Sequence, residues 1–206
     1  MRSRSDQGLL VVLSGPSGSG KDTVLGELCK TADNLELSVS LTSRERRPWE
    51  FDGTHYYFVT RAYFEEKLQA GEILEYTQYN GNYYGTPKAS IDEWLAQGKT
   101  VVLIIEVEGA SNIRAIYPDC VSVFLLPPSL AVLTDRLFRR ESEKEDEIAR
   151  RTEIAKREIA RAGDYDYVIL NDVLDYAVSD FRAIIHAERQ RAGRQTKLIE
   201  EVLKSC

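Results

Sequence analysis

A glycine-rich segment near the start of the chain carries residue types and a spacing that bind phosphate. It reads GPSGSGKDT from Gly15 to Thr23, after an apolar run from Leu9 to Leu13 and before a helix-like stretch. Its glycines admit a backbone path that side chains would block, so successive N–H groups can converge on phosphate oxygens. Lys21 adds a full positive charge for the outer phosphates. The G-x4-G-K spacing after a strand therefore predicts a nucleotide-binding loop and not an unliganded turn.

The loop departs from the usual pattern directly after its lysine. Asp22 stands where a Ser or Thr hydroxyl normally follows, and the hydroxyl comes one residue later, at Thr23. In loops of this kind that hydroxyl binds the magnesium ion accompanying the nucleotide. Thr23 is therefore the predicted metal-side residue, directly or through water, and the role of Asp22 stays open.

Short apolar runs recur along the chain and predict the buried strands that position this loop. They are Leu9 to Leu13, Val101 to Ile105, Val121 to Leu126 and Tyr167 to Leu170. Charged segments with helical periodicity follow or separate them: Asp22 to Lys30, Leu130 to Arg140, Glu145 to Ala162 and Ala177 to Arg191. This alternation predicts an α/β fold with a doubly wound parallel sheet, helices on both faces and ligands at the carboxyl ends of the strands.

The stretch from about residue 40 to 91 breaks this rhythm. It is rich in tyrosine, glycine and alternating polar residues, with turn signals at Asp52-Gly53 and Asn80-Gly81. These features predict a small, mostly β insertion. The predicted organisation is a core of residues 1–39 and 92–206, interrupted by an inserted unit of residues 40–91.

Composition narrows the class of protein. The chain has 206 residues, of which 43% are hydrophobic and 29% charged, which is typical of a globular protein with one main core. A net charge of -6 argues against a general binder of nucleic acids or anionic membranes. Three scattered cysteines favour a reducing compartment, and the first apolar run is too short for a signal peptide or a membrane span. A cytoplasmic location is expected.

Several motifs, taken together, resemble the guanylate kinases. They are GPSGSGKDT, SVSLTSRERRPWEFDGTHYYFV from Ser38, ILEYTQYNGNYYGT from Ile73, IEVEGA from Ile105, and the strand ending at Leu170 with Asn171-Asp172. The match covers nearly the whole chain. The resemblance implies magnesium-dependent transfer of the terminal phosphoryl group of ATP to GMP, giving ADP and GDP, a step of guanine nucleotide recycling. It also implies a phosphate-loop core, an inserted GMP-binding domain and a mobile lid.

The resemblance assigns site residues by motif. The ATP-binding set is Gly15, Pro16, Ser17, Gly18, Ser19, Gly20, Lys21, Asp22, Thr23 and Asn171. The GMP-binding set is Ser40, Arg44, Arg47, Tyr56, Glu75, Tyr84, Thr86 and Glu106. The catalytic set is Lys21, Arg44, Arg136, Arg140 and Arg151, with Mg²⁺ entering as its ATP complex. Planar guanidinium forks suit this work because they grip phosphate oxygens in pairs.

Choice of the base depends on hydrogen-bond donors at the guanine edge. Guanine offers N1–H and N2–H₂ side by side, whereas adenine presents an acceptor at N1. A carboxylate facing that edge selects guanine, and Glu75 stands at the matching place, with the hydroxyls of Ser40 and Thr86 near O6. The charged run from residue 136 to 151 is the expected lid, which closes over bound nucleotides and keeps water away.

Two other functions compete with this interpretation. A nucleoside monophosphate kinase for another base would share the loop and lid, but Glu75 argues against it. Guanylate-kinase-like modules of scaffold proteins bind phosphopeptides without catalysis, yet their phosphate loops are usually degraded and here Lys21 is present. The sequence leaves open a monomer or a homodimer. It also leaves open whether residues 191–206 pack on the core, pair with another subunit or fray.

Overall fold

The computed structural model describes residues 8–32, 34–79, 81–140 and 145–205. The side chains at positions 79, 139, 140 and 145–147 are not part of that description, so the predicted contacts of the Arg140 side chain lie outside the described residues.

In chain order, the described strands are β1 (Leu9–Ser14), β2 (Leu35–Ser38), β3 (Leu41–Thr42), β4 (Tyr57–Phe58), β5 (Ile73–Tyr79), β6 (Asn82–Pro87), β7 (Thr100–Ile104), β8 (Val121–Leu126) and β9 (Tyr167–Leu170). The described α-helices are α1 (Lys21–Thr31), α2 (Arg61–Gln69), α3 (Lys88–Ala96), α4 (Val107–Ile116), α5 (Leu130–Arg140), α6 (Glu145–Ile159), α7 (Leu174–Arg189) and α8 (Thr196–Lys204). Short 3₁₀ turns at Ala162–Asp164 and Ala192–Arg194 complete the regular structure of these ranges.

Within the described ranges, five parallel strands form the core sheet in the order β2-β7-β1-β8-β9. The central strand β1 is buried on both faces because its side chains alternate between two apolar layers. Leu9, Val11 and Leu13 pack with α1 and α7, whereas Leu10 and Val12 pack with α3 and α4. The predicted α/β class, with helices on both faces of a parallel sheet, is confirmed.

Element bounds follow the apolar pattern closely where the strand is an uninterrupted apolar run. The segments predicted from Val121 to Leu126 and from Tyr167 to Leu170 are β8 and β9, and α5 has the predicted ends. The sequence pattern did not predict β2, because LELS at this sheet edge is only partly buried and alternates with polar residues. The helices α2, α3 and α4 were also missed.

The inserted stretch contains a second sheet, in the order β4-β3-β6-β5 among the described residues. Helix α2 covers one face of it and begins after Thr60, whose hydroxyl accepts a hydrogen bond from the Tyr63 amide. Phe64 of α2 is fully buried against Leu41 and Ile73.

The predicted lid, residues 136–151, spans the end of α5 and the start of α6, and these two helices pack on each other. Leu133, Leu137 and Ala155 form a small buried cluster between them. The hydroxyls of Thr134 and Thr152 lie 3.4 Å apart across the same contact. The two helices are therefore held as a pair by their own apolar contact.

The end of the chain forms helix α8 and does not bury its apolar side chains against the core. Val202 is 62% exposed and Leu203 is 72% exposed. The helix is joined to α7 through the Gln195 amide, which donates to the Arg189 carbonyl at 2.6 Å. None of the helices in the described ranges is both long enough and apolar enough to cross a membrane.

Candidate active site

The glycine-rich loop links β1 to α1 and follows a backbone path that only glycine accepts. Gly15 approaches the neighbouring strand so closely that a Cβ atom there would lie 2.4 Å from the Leu125 carbonyl oxygen. Gly20 caps α1 in the left-handed region, with φ of 97°. The first turn of α1 therefore points its N–H groups into the space above the loop.

Lys21 folds back over this loop. Its ammonium nitrogen donates to the Gly15 carbonyl at 2.6 Å and to the Pro16 carbonyl at 3.1 Å. The charge is thus held at the centre of the loop, where the outer phosphates of a nucleotide are expected.

Three further predicted residues converge on the same loop, from helices α5 and α6 and from the end of β9. The Arg151 guanidinium donates to Ser17 Oγ at 2.6 Å, and Arg136 lies 3.4 Å from the Gly18 and Ser19 carbonyl oxygens. Asn171 donates to the Ser19 carbonyl at 2.7 Å. Residues up to 152 positions apart in sequence are therefore assembled around one loop.

A hollow of about 370 Å³ opens beside the loop. It is lined by Gly18, Gly20, Thr23, Arg136, Asn171, Asp172 and Leu174. Thr23 and Asp22 both lie exposed in the first turn of α1. This arrangement offers one carboxylate and one hydroxyl at the mouth of the loop.

Across the cleft, Arg44 is held by a buried acid that the sequence analysis did not single out. Glu50 accepts two hydrogen bonds from the Arg44 guanidinium, at 2.7 and 3.0 Å, and is only 3% exposed. It also accepts from the Arg47 backbone N–H at 2.9 Å. Burial alone would raise the pKa of Glu50, but the bonds from Arg44 and Arg47 outweigh it and lower that pKa.

Aromatic rings frame the two arginines. The Arg44 guanidinium lies 5.7 Å from the ring centre of Tyr56, and Arg47 lies 5.7 Å from that of Trp49. Tyr56 and Tyr84 meet edge to face at 5.8 Å. Burial, assisted by the nearby Tyr84 and Asp22, raises the pKa of Tyr56 to about 12, so its hydroxyl stays protonated and can donate.

Glu75 lies on β5 next to Thr86 of β6, and both are buried. The Thr86 hydroxyl donates to Glu75 Oε1 at 2.6 Å, but Oε2 is buried and has no hydrogen-bond partner among the described residues. Burial raises the pKa of Glu75. The hydrogen bond from Thr86 opposes this shift, and the negative charge of Glu106 adds to it. A buried acceptor without a partner is unfavourable unless a ligand supplies the donor.

Ser40 and Glu106 lie at the ends of neighbouring segments around Glu75. Leu41 pairs with Gly85, so Ser40 lies level with Thr86 on the adjacent strand. Glu106 directly precedes α4 and keeps part of its surface exposed to solvent. Its partial removal from water raises its pKa, while the positive charge of Lys21 acts in the opposite direction.

A second acid that the sequence analysis missed, Glu158, lies on α6. It is two helical turns after Arg151 and therefore on the same face of the helix, which carries it toward Lys21 and Glu106. Burial raises the pKa of Glu158 to about 7, with Lys21 opposing the shift and Glu106 adding to it. Glu158 lies outside the quoted motifs, whereas Glu50 lies within the motif that begins at Ser38 but was assigned no role there. The spacing of each acid from the arginines is the signal that could have marked it.

This raised pKa predicts how stability depends on pH. The folded protein binds the Glu158 proton more tightly than the unfolded chain does, so stability decreases as pH rises from about 4.5 to about 7. Glu158→Gln removes the charge that folding disfavours. Solvent screens this half-buried group, so we expect a Tm rise of about 2 to 4 °C at about pH 8 and almost none at about pH 4.5.

Thermal unfolding without nucleotide, followed at both pH values, checks this expectation. Glu153→Gln is the matched control, because Glu153 is an exposed acid of the same helix that pairs with Lys156. An equal Tm shift at the two pH values would contradict the role of Glu158 charge.

Comparison with known proteins relates this geometry to a family. The family model described as guanylate kinase matches residues 7–188. The guanylate kinase of Carboxydothermus hydrogenoformans is 47% identical over 188 residues, covering 91% of this chain and 92% of that one. That of Clostridioides difficile is 44% identical and covers 96% of this chain and 97% of its own. The crystal structure of guanylate kinase from Anaplasma phagocytophilum superposes with a TM-score of 0.81 at 32% identity, covering 97% and 96% of the two chains.

Proposed function

This chain belongs to the guanylate kinase family and is an ATP:GMP phosphotransferase, and we propose that it binds ATP at the glycine-rich loop and GMP in the inserted unit. One observation carries the assignment of the acceptor base. Glu75 Oε2 is a buried acceptor without a partner among the described residues, and guanine brings two adjacent donors, N1–H and N2–H₂. Thr86, bonded to the other oxygen, holds the carboxylate in place.

On the ATP side, the phosphates lie along the loop from Gly15 to Thr23 and replace some of the hydrogen bonds made within the loop. Lys21 turns from the Gly15 and Pro16 carbonyls to the outer phosphates. Arg136 and Arg151 already lie against the loop and neutralise the charge of the transferring group. Arg140 joins them by its place in the family motif. Asn171 supports the loop at Ser19.

On the GMP side, the phosphate lies between Arg44 and Arg47, with the hydroxyls of Tyr56 and Tyr84 donating to it. Glu50 holds the guanidinium of Arg44 and the backbone N–H of Arg47, so the Arg44 side chain is positioned before substrate arrives. Ser40 and Thr86 lie near O6 of the base. Glu106, at the start of α4, lines the site on the side of the core.

The chemistry requires positioning and charge neutralisation more than covalent work by the protein. Two polyanions must approach in line, and the arginines and Lys21 offset their repulsion in the transition state. The lid helices α5 and α6 cover the reacting groups after both nucleotides bind, so water does not intercept the phosphoryl group. We propose residues 136–151 as this lid and residues 40–91 as the GMP-binding domain.

The first turn of α1 fits a magnesium ion carried by ATP. Thr23 and Asp22 present hard oxygen donors beside the loop, and no cluster of three or more metal-binding side chains occurs in the part of the chain that the structure describes. Mg²⁺ commonly takes most of its ligands from phosphates and water, so a sparse protein contribution suits it. When bound, the ion neutralises phosphate charge; Thr23 would hold it, directly or through water. We propose a cytoplasmic enzyme, as a monomer or a homodimer, without a role for nucleic acid.

A substrate panel tests the acceptor assignment. Phosphoryl transfer from ATP to GMP, AMP, CMP and UMP should favour GMP by at least about a hundredfold in kcat/KM, since only guanine offers both donors to Glu75. The reaction should also stop when EDTA removes the divalent ion and resume with Mg²⁺. Comparable turnover with AMP would contradict the assignment of Glu75.

A further inference from the structure

The Glu75 carboxylate meets the core of the protein at a single glycine. A Cβ atom built on Gly109, in the first turn of α4, would lie 2.5 Å from Glu75 Oε2 and 3.2 Å from its carboxyl carbon. Side chains essentially never approach that closely. Any residue other than glycine at position 109 therefore forces the carboxylate, the helix or both to move.

The backbone does not explain this glycine. Gly109 lies inside α4 with ordinary helical geometry, and it is absent from the residues with left-handed φ in the described ranges. Glycine is the least favourable helix residue after proline. Gly109 is buried, so a tolerance for any residue at an exposed position does not explain the glycine either. The close approach of Glu75 is the one contact that requires the missing side chain.

The carboxylate has little freedom to yield. Its other oxygen is bonded to the Thr86 hydroxyl at 2.6 Å, and the side chain is only 7% exposed. Withdrawing Oε2 from α4 would turn the carboxylate away from Thr86 or displace β5. The Thr86 hydrogen bond in the inserted unit thus holds the Glu75 carboxylate in place, and α4 accommodates it at this distance because Gly109 has no side chain.

We infer that Gly109 is a positioning residue for guanine recognition, whose missing side chain lets the Glu75 carboxylate stand against α4 in the orientation that reads the base. The inference rests on the proposed role of Glu75. It also makes the base site a joint construction, since the inserted unit supplies the carboxylate and the core supplies the space for it.

Gly109→Ala tests the inference through the affinity for GMP. The added methyl displaces Oε2, so KM for GMP should rise about ten- to a hundredfold, while kcat falls less and KM for ATP stays within about twofold. Gly26→Ala is the matched control, because Gly26 also lies in a helix and its added Cβ would meet no heavy atom of the described chain within 4 Å. The control should leave both KM values unchanged.

A double-mutant cycle with Glu75→Asp separates positioning from general damage. Aspartate is one methylene shorter and withdraws the carboxylate from Gly109. In the Glu75→Asp background, Gly109→Ala should therefore raise KM for GMP by less than about twofold. An equal loss in both backgrounds would overturn the inference, as would GMP kinetics of Gly109→Ala within about twofold of wild type. If Gly109→Ala alone does not fold, recovery of a cooperative melt in the double variant supports the contact, and no recovery overturns it.

The outcome for Glu75 itself is read independently. Glu75→Gln keeps the size of the side chain and tests base recognition without changing the contact with Gly109. If Glu75→Gln leaves GMP kinetics unchanged, the proposed role of Glu75 fails and the positioning role fails with it. If Glu75→Gln is impaired while Gly109→Ala is not, only the positioning role of Gly109 fails.

Discussion

Replacing Lys21 by alanine is expected to lower kcat about a thousandfold or more while the protein stays folded. The ammonium group is the only cation of the glycine-rich loop itself, and removing a charge that stabilises a transferring phosphoryl group has effects on this scale. Among its contacts, the ammonium group donates to the backbone carbonyls of Gly15 and Pro16. Loss of these two hydrogen bonds should lower the free energy of unfolding by about 1 to 3 kcal/mol, which leaves the protein folded.

The measurement is steady-state transfer from ATP to GMP, with a thermal melt of each variant. Lys30→Ala is the matched control, since Lys30 lies on the same helix α1 but pairs with Glu27 on the surface. The control should retain full activity. A folded Lys21→Ala protein with turnover within a few-fold of wild type would contradict the assignment of the loop.

Replacing Glu75 by glutamine is expected to reduce kcat/KM for GMP about ten- to a hundredfold. The amide keeps the size of the side chain but removes the negative charge and one acceptor, so a guanine donor is left unsatisfied. A paired contact of this type contributes about 1 to 3 kcal/mol to discrimination between bases, by analogy with base readout in nucleic acids. KM for ATP should change little, because Glu75 lies in the inserted unit.

Kinetics with AMP and a neighbouring glutamate complete this test. AMP lacks the paired donors, so its kcat/KM should fall much less in the Glu75→Gln variant. An equal fall in kcat/KM for GMP and AMP would mean that Glu75 supports the fold of the inserted unit. Glu72→Gln is the surface control, since its carboxylate pairs with Lys67. Burial raises the pKa of Glu75, so its carboxylate is protonated at a higher pH than that of an ordinary glutamate. As the pH is lowered, wild-type kcat/KM for GMP should therefore begin to fall earlier, and the glutamine variant should lack that decline.

The parts of the fold that were predictable from sequence are those formed by an uninterrupted apolar run. Strands β8 and β9 are short apolar runs with clear ends, so their bounds matched. The edge strand β2 was missed because half of its residues are polar, whereas the other edge strand, β9, is an apolar run. Helix α4 was missed because Gly109 weakens the helical pattern at its start. The contact with Glu75, which lies 34 positions away in sequence, explains that glycine.

The candidate site divides in the same way. Motif residues such as Lys21, Arg136, Arg151 and Asn171 were predicted, and their side chains lie around one loop. Glu50 and Glu158 were assigned no role, because a single acid in a charged segment is usually a solvated surface residue. Only the folded chain shows that Glu50 is buried under an arginine and that Glu158 faces the loop.

The bidentate bond between Glu50 and Arg44 also bears on the entropy of substrate binding. A free arginine would lose rotamer freedom on gripping a phosphate, and immobilising one such side chain costs about 0.5 to 1.5 kcal/mol. Arg44 has already lost that freedom in folding, since Glu50 and the Glu45 carbonyl hold its guanidinium. The entropic cost of ordering Arg44 therefore belongs to the folding of the inserted unit. At the proposed phosphate site, GMP would not have to order this side chain on binding.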